Sequence, residues 1–131
     1  MKIICLANTD QRFYLLMGPF LARRGIESEI GYKLYDDDDK EWFVALGDDM
    51  VMGFCYRQEK PKGSYQIGSC YVVEEHRRKG VLKKLLAEAM RNITGDIYLT
   101  TRNPVLQQLL LSRGFDELGK RGSFTRYGRQ L

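Results

Sequence analysis

The sequence predicts an α/β (α+β) fold in which a mixed central sheet carries helices on both faces. Two observations lead to this prediction. Strand-like runs between residues 40 and 73 are separated by short turns, which indicates an antiparallel meander. After residue 73, strand-like and helix-like segments alternate, which indicates a parallel pair of strands joined by a crossover helix before the chain ends in a hairpin.

The first quarter of the chain contains one predicted strand and one predicted helix. Residues 1–7 form an apolar strand, and Thr9 or Asp10 has the side-chain type that caps a helix. We expect the helix to end near Gly25 and to present an apolar face made of Phe13, Leu15, Leu16, Phe20 and Leu21. Residues 36–40, DDDDK, are typical of a polar, solvated turn.

The meander that follows is predicted from alternation and turn residues. Residues 42–46 alternate as a strand does, and Gly47-Asp48-Asp49 is a hairpin signal before the returning strand 51–56. The turn Lys60-Pro61-Lys62-Gly63 then leads into a strand over residues 65–73. Trp42 and its aromatic neighbours are read as core residues of these strands.

The second half alternates helices and strands. A helix over residues 80–92 carries Leu82, Leu85, Leu86 and Ala89 on one face, and a strand follows at 96–101. Asn103 and Pro104 favour the N-cap and first position of another helix, which stops at Gly114. The predicted C-terminal hairpin pairs residues 115–118 with 123–128 around the turn Gly119–Gly122.

Composition limits the class of protein. The 131 residues are 44% hydrophobic and 29% charged, which is typical of a folded globular chain, and no apolar run reaches the ~20 residues of a membrane span. Cys5, Cys55 and Cys70 are odd in number and lie in apolar runs, so we expect buried free thiols in a reducing compartment and a cytoplasmic protein. With a single histidine, no metal site is predicted.

Charge is distributed unevenly along the chain. Residues 1–65 carry 9 Lys or Arg and 11 Asp or Glu, whereas residues 66–131 carry 12 and 6. A basic half with a net charge of +6 suits a polyanionic ligand or a nucleic acid. Solvated surface charge without a ligand explains the same count equally well.

The most informative segment is a strand, a basic turn and a helix over residues 71–90. Tyr71-Val72-Val73 ends the strand, and Arg77-Arg78-Lys79-Gly80 forms a turn before the helix. A glycine-containing turn at a helix N-terminus presents backbone N–H groups to a phosphate. A basic turn that only caps a surface helix is the alternative interpretation.

These residues resemble the GNAT superfamily of acyl-CoA-dependent N-acyltransferases. The family pattern Arg/Gln-x-x-Gly-x-Gly/Ala reads here Arg77-Arg78-Lys79-Gly80-Val81-Leu82, and Leu82 replaces the usual small residue. A second match is Asn103 followed by an apolar helix that closes in Gly114-Phe115. The resemblance implies one N-acetyltransferase-like domain over residues 1–131.

The resemblance also implies an acetyl-CoA site. In relatives, a bulge splays the fourth strand from the fifth, and the pantetheine arm of the cofactor pairs with the exposed strand. Carried onto this chain, one strand N–H would also face the thioester oxygen. The implied cofactor-binding residues are Tyr71, Val72, Val73, Arg77, Arg78, Lys79, Gly80, Val81, Leu82 and Asn103.

The catalytic residues of the family are not matched. Where some relatives place a general base Glu, this chain has Gln66, and where the family places a general acid Tyr it has Leu110. Alternative bases are Glu41, Glu59 and Glu74, or water; alternative acids are Tyr98, Ser112 and Tyr127. Of these, Glu74, Tyr127 and Ser112 are kept as candidates.

Two functions follow as hypotheses. The first is an N-acetyltransferase that moves an acetyl group from acetyl-CoA to a primary amine by direct attack. Its acceptor would be a small-molecule or protein amine or an amine carried by a nucleic acid, with no membrane partner and with homodimerisation as an option. The second is a GNAT-like binding module without turnover, which uses its basic C-terminal half to bind nucleic acid or a partner protein.

Overall fold

The computed structural model describes residues 1–130, which form a seven-stranded mixed sheet and four α-helices. The strands are β1 (Lys2–Leu6), β2 (Lys40–Gly47), β3 (Met50–Lys60), β4 (Ser64–Val72), β5 (Ile97–Thr101), β6 (Asp116–Arg121) and β7 (Phe124–Arg129). The helices are α1 (Gln11–Met17), α2 (Arg24–Ile30), α3 (Val81–Met90) and α4 (Pro104–Ser112), with short 3₁₀ turns at Pro61–Gly63 and Glu74–His76. None of the helices in the described residues is long and apolar enough to cross a membrane.

The sheet confirms the predicted fold class. Its strand order is β1-β2-β3-β4-β5-β7-β6, and every neighbouring pair is antiparallel except β4 and β5. The parallel pair is short, because Tyr65–Ile67 of β4 meet Ile97–Leu99 of β5 and the pairing stops there. The predicted antiparallel meander, parallel pair and C-terminal hairpin are therefore all present.

Helices cover both faces of the sheet, and alternation along β2 assigns each side chain to a face. Trp42 and Val44 pack with α1 and α2, whereas Phe43 and Ala45 pack with α3 and α4. Trp42 is fully buried, as expected for a core residue. Each cluster removes a continuous apolar surface from water, which is the main favourable term in folding.

The predicted single helix before Gly25 is wrong. Helix α1 begins after Asp10, whose side chain accepts a hydrogen bond from the Arg12 N–H, but it ends at Met17. Pro19 follows the C-cap and has no N–H to continue the helix. A second helix, α2, then contains Gly25 and ends at Gly31, which adopts a left-handed φ of 100°. Leu15, expected on the buried face, is 78% exposed.

Two smaller expectations are also corrected. The turn of the last hairpin lies at residues 122–123, and Gly119 belongs to β6, where a register shift interrupts its pairing with β7. All three cysteines are free, but only Cys55 is buried; Cys70 is half-buried and Cys5 is exposed. Cys5 lies on β1, the edge strand of the sheet, where one side of the strand lacks a neighbour.

Candidate active site

A cleft opens where β4 and β5 separate. Beyond the last paired residues, Ile67 and Leu99, the two strands diverge and leave a cleft of about 960 Å³ between them. Its walls include the end of α2, the basic turn before α3, and one side of α4 along its length. A volume of this size is typical of sites that bind small molecules and cofactors.

A β-bulge in β4 causes the divergence. Cys55 of β3 faces two residues of β4, Ser69 and Cys70, because the register shifts between Phe54 and Tyr56. Ser69 adopts a left-handed φ of 50°, which bends the strand. At Gly68, a Cβ atom would lie 2.6 Å from the Tyr56 hydroxyl oxygen, so any larger residue there would displace the Tyr56 ring.

The bulge leaves one edge of β4 facing the cleft. The Val73 N–H donates to the Met52 carbonyl at 2.8 Å, so Val73 faces β3, and by strand alternation Tyr71 faces β3 as well. Val72 points its backbone groups the other way, toward the cleft, and the same alternation places Cys70 on that edge. Of the three strand residues in the predicted set, Val72 is therefore the one whose backbone faces the open side.

The turn before α3 has the geometry of an anion site. Arg78 and Gly80 adopt left-handed φ values of 65° and 80°. Gly80 is the N-cap of the ten-residue helix α3 and provides no side-chain acceptor, so the first N–H groups of the helix are uncapped. Arg77, Arg78 and Lys83 line the cleft beside these groups, together with Val81 and Leu82. The predicted residues Lys79 and Val73 do not line it.

Arg77 is partly exposed and contacts both α2 and β4. Its Nε donates to the Val72 carbonyl at 2.9 Å, and its NH2 group pairs with Glu29 of α2 at 2.8 Å. Its guanidinium also lies 5.5 Å from the centre of the Tyr71 ring. Burial alone would lower the pKa of Arg77, but the hydrogen bond and charge of Glu29 outweigh it and raise the pKa, so the side chain stays cationic. The contact joins α2 to the exposed edge of β4.

Asn103 fulfils its predicted structural role. Its Oδ1 accepts hydrogen bonds from the N–H groups of Val105 at 2.9 Å and Leu106 at 3.3 Å, and Pro104 occupies the first helical position. These bonds satisfy two backbone donors at the start of α4. Asn103 also lines the cleft, so its place in the predicted cofactor set remains a prediction.

The candidate catalytic residues are not brought together. Glu74 lies in the 3₁₀ turn and is not part of the cleft wall. Tyr127 is 3% exposed and packs into the apolar cluster under α3 and α4. Ser112 lines the cleft, but its hydroxyl donates to the Leu109 carbonyl at 2.6 Å. Leu110 is fully buried in the same apolar cluster.

The remaining acid and base candidates do not line the cleft; Glu59 is exposed on β3, and the others are held by partners elsewhere. Glu41 forms an ion pair with Arg57 at 3.0 Å. The Tyr98 hydroxyl donates to Asp96 at 3.3 Å. Gln66 lies opposite Tyr98 in the parallel pair, and its amide is 3.4 Å from the Tyr56 hydroxyl. A Gln amide accepts no proton, so Gln66 contributes only hydrogen bonding.

Among the cleft residues that sequence reasoning missed are Glu29 and Tyr32. Both come from α2 and the residue after its C-cap, a segment that the sequence placed beyond the end of the first helix. The signal that could have found them is Gly31, which is typical of a helix C-terminus and would have revealed α2. The Tyr32 hydroxyl accepts the Ser69 N–H at 2.7 Å, so it caps the bulge amide.

Both tyrosines beside the bulge remain neutral near physiological pH. Burial, and to a lesser extent the neighbouring Cys70, raise the pKa of Tyr32, although the Ser69 hydrogen bonds partly oppose this. Burial also raises the pKa of Tyr56, and the nearby Tyr32 adds to the effect. Within residues 1–130, no group of His, Cys, Asp or Glu is arranged to hold a metal ion.

Comparison with known proteins assigns the family. Residues 9–115 match the family model described as the acetyltransferase (GNAT) family. No curated protein sequence matches the chain significantly. Among solved structures, the fold is similar to Escherichia coli ElaA, at 18% identity and a TM-score of 0.76, covering 98% of this chain and 99% of that one.

Two further solved structures have the same fold. A GNAT-family acetyltransferase from Staphylococcus aureus is 19% identical, with a TM-score of 0.71 and 99% of both chains covered. A PaiA N-acetyltransferase from Thermoplasma acidophilum, solved in complex with coenzyme A, is 18% identical, with a TM-score of 0.70 and complete coverage of both chains. Since the family model matches residues 9–115, which is most of the sequence, the chain belongs to the GNAT acetyltransferase family.

Proposed function

We propose that this protein is an acetyl-CoA-dependent N-acetyltransferase that acetylates a primary amine, and that residues 1–131 act as one domain. The observation that carries the proposal is the cleft itself. One end has the uncapped N-terminus of α3 with a left-handed glycine and cationic side chains, and one wall is an unpaired strand edge. An anionic pyrophosphate suits the first feature, and an amide-containing chain suits the second.

The residues present fit acetyl-CoA. The N–H groups at the start of α3 would face the pyrophosphate, and Arg78 and Lys83 would add positive charge. A Cβ atom at Gly80 would meet no protein atom within 4 Å, so the space beside this backbone is open to a ligand. The Val72 N–H, on the cleft edge of β4, would pair with a pantetheine carbonyl, since the Val72 carbonyl already accepts from Arg77. Bound acetyl-CoA supplies an acetyl group that is activated as a thioester.

Proton removal from the acceptor is assigned to water. An alkylamine with a pKa near ~10.4 is protonated at neutral pH and must lose a proton before it attacks. Within the described residues, Glu29 is the one carboxylate in the cleft wall, and it is engaged by Arg77. Gln66 is neutral. A solvent-open cleft with no free carboxylate favours proton loss to water over a dedicated protein base.

Ligand binding with a matched variant tests the cofactor site. Gly80→Glu places a negative charge where the pyrophosphate would bind, whereas Gly122→Glu adds the same charge at a distant hairpin turn. Both glycines have left-handed φ values, of 80° and 62°, and open space around a Cβ, so the two variants carry similar backbone strain. We expect acetyl-CoA to stabilise the wild type and Gly122→Glu, by ~2.7 kcal/mol at 100 times the Kd, and to leave Gly80→Glu unchanged.

An assay for CoA released from acetyl-CoA, run with a panel of amines, peptides and nucleic acids, then identifies the acceptor. An equal thermal shift in Gly80→Glu, or no shift in the wild type at millimolar acetyl-CoA, contradicts the cofactor site. If acetyl-CoA binds but no CoA is released in the presence of any amine, the result would instead support a GNAT-like binding module without turnover. The basic half of the chain makes salt-dependent nucleic-acid binding the assay for that second function.

A further inference from the structure

We propose that Tyr32 is the proton donor of this site and that its hydroxyl protonates the sulfur atom that leaves when the acetyl group is transferred. The inference rests on the proposed function. The role is assigned to a side chain from the segment after α2, and not to one from α4.

The position of the hydroxyl follows from the direction of the cleft. The basic turn and the N-terminus of α3 mark the phosphate end, and β4 runs from this turn back toward the bulge. The cleft narrows where β4 rejoins β5 at Ile67 and Leu99. Gly68 and Cys70, on either side of Ser69, line the cleft at this narrow end, and so does Tyr32. A ligand anchored by its phosphates therefore brings its far end toward the Tyr32 hydroxyl.

The bulge fixes the Tyr32 oxygen in place. Ser69 is 1% exposed and has a left-handed φ, so its N–H is turned out of the regular ladder and needs another partner. The Tyr32 oxygen accepts that N–H at 2.7 Å. Because the hydrogen bond from the Ser69 N–H uses a lone pair of the Tyr32 oxygen, the Tyr32 hydroxyl keeps its own hydrogen for donation. Tyr32 as a whole is 38% exposed, but its hydroxyl end lies against the buried bulge.

The sequence-based candidates for the proton donor are unsuited to this position. Leu110 has no proton to give, and the Ser112 hydroxyl is already bonded to a carbonyl in its own helix. The hydroxyl of Tyr98 donates to Asp96. Tyr127 is buried in the core and does not line the cleft.

The proposed proton transfer needs no reactant besides the amine, acetyl-CoA and water. As the amine nitrogen forms a bond to the acetyl carbon, the carbon–sulfur bond breaks and its electron pair remains on sulfur. The Tyr32 hydroxyl hydrogen moves to that sulfur and gives a thiol. The Tyr32 oxygen then regains a proton from water, which has received the proton lost by the amine. Burial favours this recovery, since it raises the pKa of Tyr32 and disfavours the phenolate.

The test compares Tyr32→Phe with Tyr56→Phe in the full chain. Both variants remove one hydroxyl beside the bulge, but Tyr56 does not line the cleft. We expect Tyr32→Phe to lower kcat by ~100-fold or more, as for loss of a general acid, and to change the acetyl-CoA Kd from calorimetry by less than about threefold. Tyr56→Phe should leave kcat within about threefold of the wild type.

The pH profile separates proton donation from a structural role. Wild-type kcat should fall at alkaline pH as the Tyr32 hydroxyl ionises, and this decline should be absent from Tyr32→Phe. Loss of acetyl-CoA affinity in parallel with kcat, or an unchanged alkaline decline, would overturn the inference and leave Tyr32 as a support of the bulge. Full activity of Tyr32→Phe would overturn it while leaving the acetyltransferase function intact. A wild type that binds no acetyl-CoA would refute the proposed function and this inference together.

Discussion

Replacing Leu110 with tyrosine, the residue that the GNAT resemblance implies at this position, is expected to destabilise the protein without raising its activity. Leu110 is fully buried in the cluster beneath α3 and α4, where it is packed with Leu106 and Phe115. It does not line the cleft. A tyrosine there would have to fit a larger ring and a polar hydroxyl into space that is already filled.

The expected loss of stability is the sum of two costs. Forcing extra volume into a well-packed core destabilises a protein by about 1–3 kcal/mol. Burying a hydroxyl without a partner adds about 1–3 kcal/mol. We therefore expect Leu110→Tyr to lower the free energy of unfolding by about 2–6 kcal/mol, which for a domain of this size corresponds to a drop in Tm of about 7–22 °C.

Denaturant unfolding of three variants separates the terms. Leu110→Met conserves volume and should lose less than about 1.5 kcal/mol. Leu110→Phe adds the ring without the hydroxyl, so the difference between Leu110→Phe and Leu110→Tyr measures the buried hydroxyl. If Leu110→Tyr is as stable as the wild type and has a higher kcat, the position opens into the cleft and the reasoning is refuted.

Two further predictions follow from contacts near the bulge and the basic turn. Glu29→Gln removes the ion pair with Arg77, so acetyl-CoA should bind up to about fivefold more tightly in calorimetry. The free energy of unfolding should change by less than ~1 kcal/mol, because the ion pair is exposed. Weaker binding of acetyl-CoA would show instead that Glu29 orients Arg77 for the ligand. Tyr56 has a raised pKa in the folded state, so the stability it contributes is present below pH ~10 and is lost as the pH rises further. Denaturant unfolding of Tyr56→Phe should lose less stability above pH ~10 than the wild type does, and an equal loss would contradict the assignment.

The sheet could be predicted because its signals are local. The strands of the meander alternate apolar residues on a period of two, and Asp48 and Asp49 both adopt the left-handed φ values of a tight hairpin turn. The start of α4 could be predicted in the same way, since the Asn103 side chain caps N–H groups that lie only two and three residues further along the chain. In each case the residues that determine the structure are neighbours in sequence.

The segment between Met17 and Tyr32 could not be predicted in the same way. Its apolar residues continue the helical spacing of α1, but Pro19 stops the helix and Ala22 turns the chain with a left-handed φ of 62°. Helical periodicity does not reveal such a break when both parts are short. The error had a functional consequence, because Glu29 and Tyr32 lie in the part that was misread.

Local signals in the sequence also predict the phosphate-binding end of the cleft, but not the end where the acetyl group would react. The basic turn and the N-terminus of α3 are built by a few consecutive residues, so a short pattern can identify them. The proposed proton donor depends on a hydrogen bond between Tyr32 and Ser69, which are 37 residues apart, and on a bulge that no local pattern marks. On the proposed role of Tyr32, this chain combines a recognisable cofactor motif with a proton donor on another element, since only the position of the hydroxyl at the narrow end of the cleft is constrained. The leucine at position 110 is then no argument against the proposed turnover.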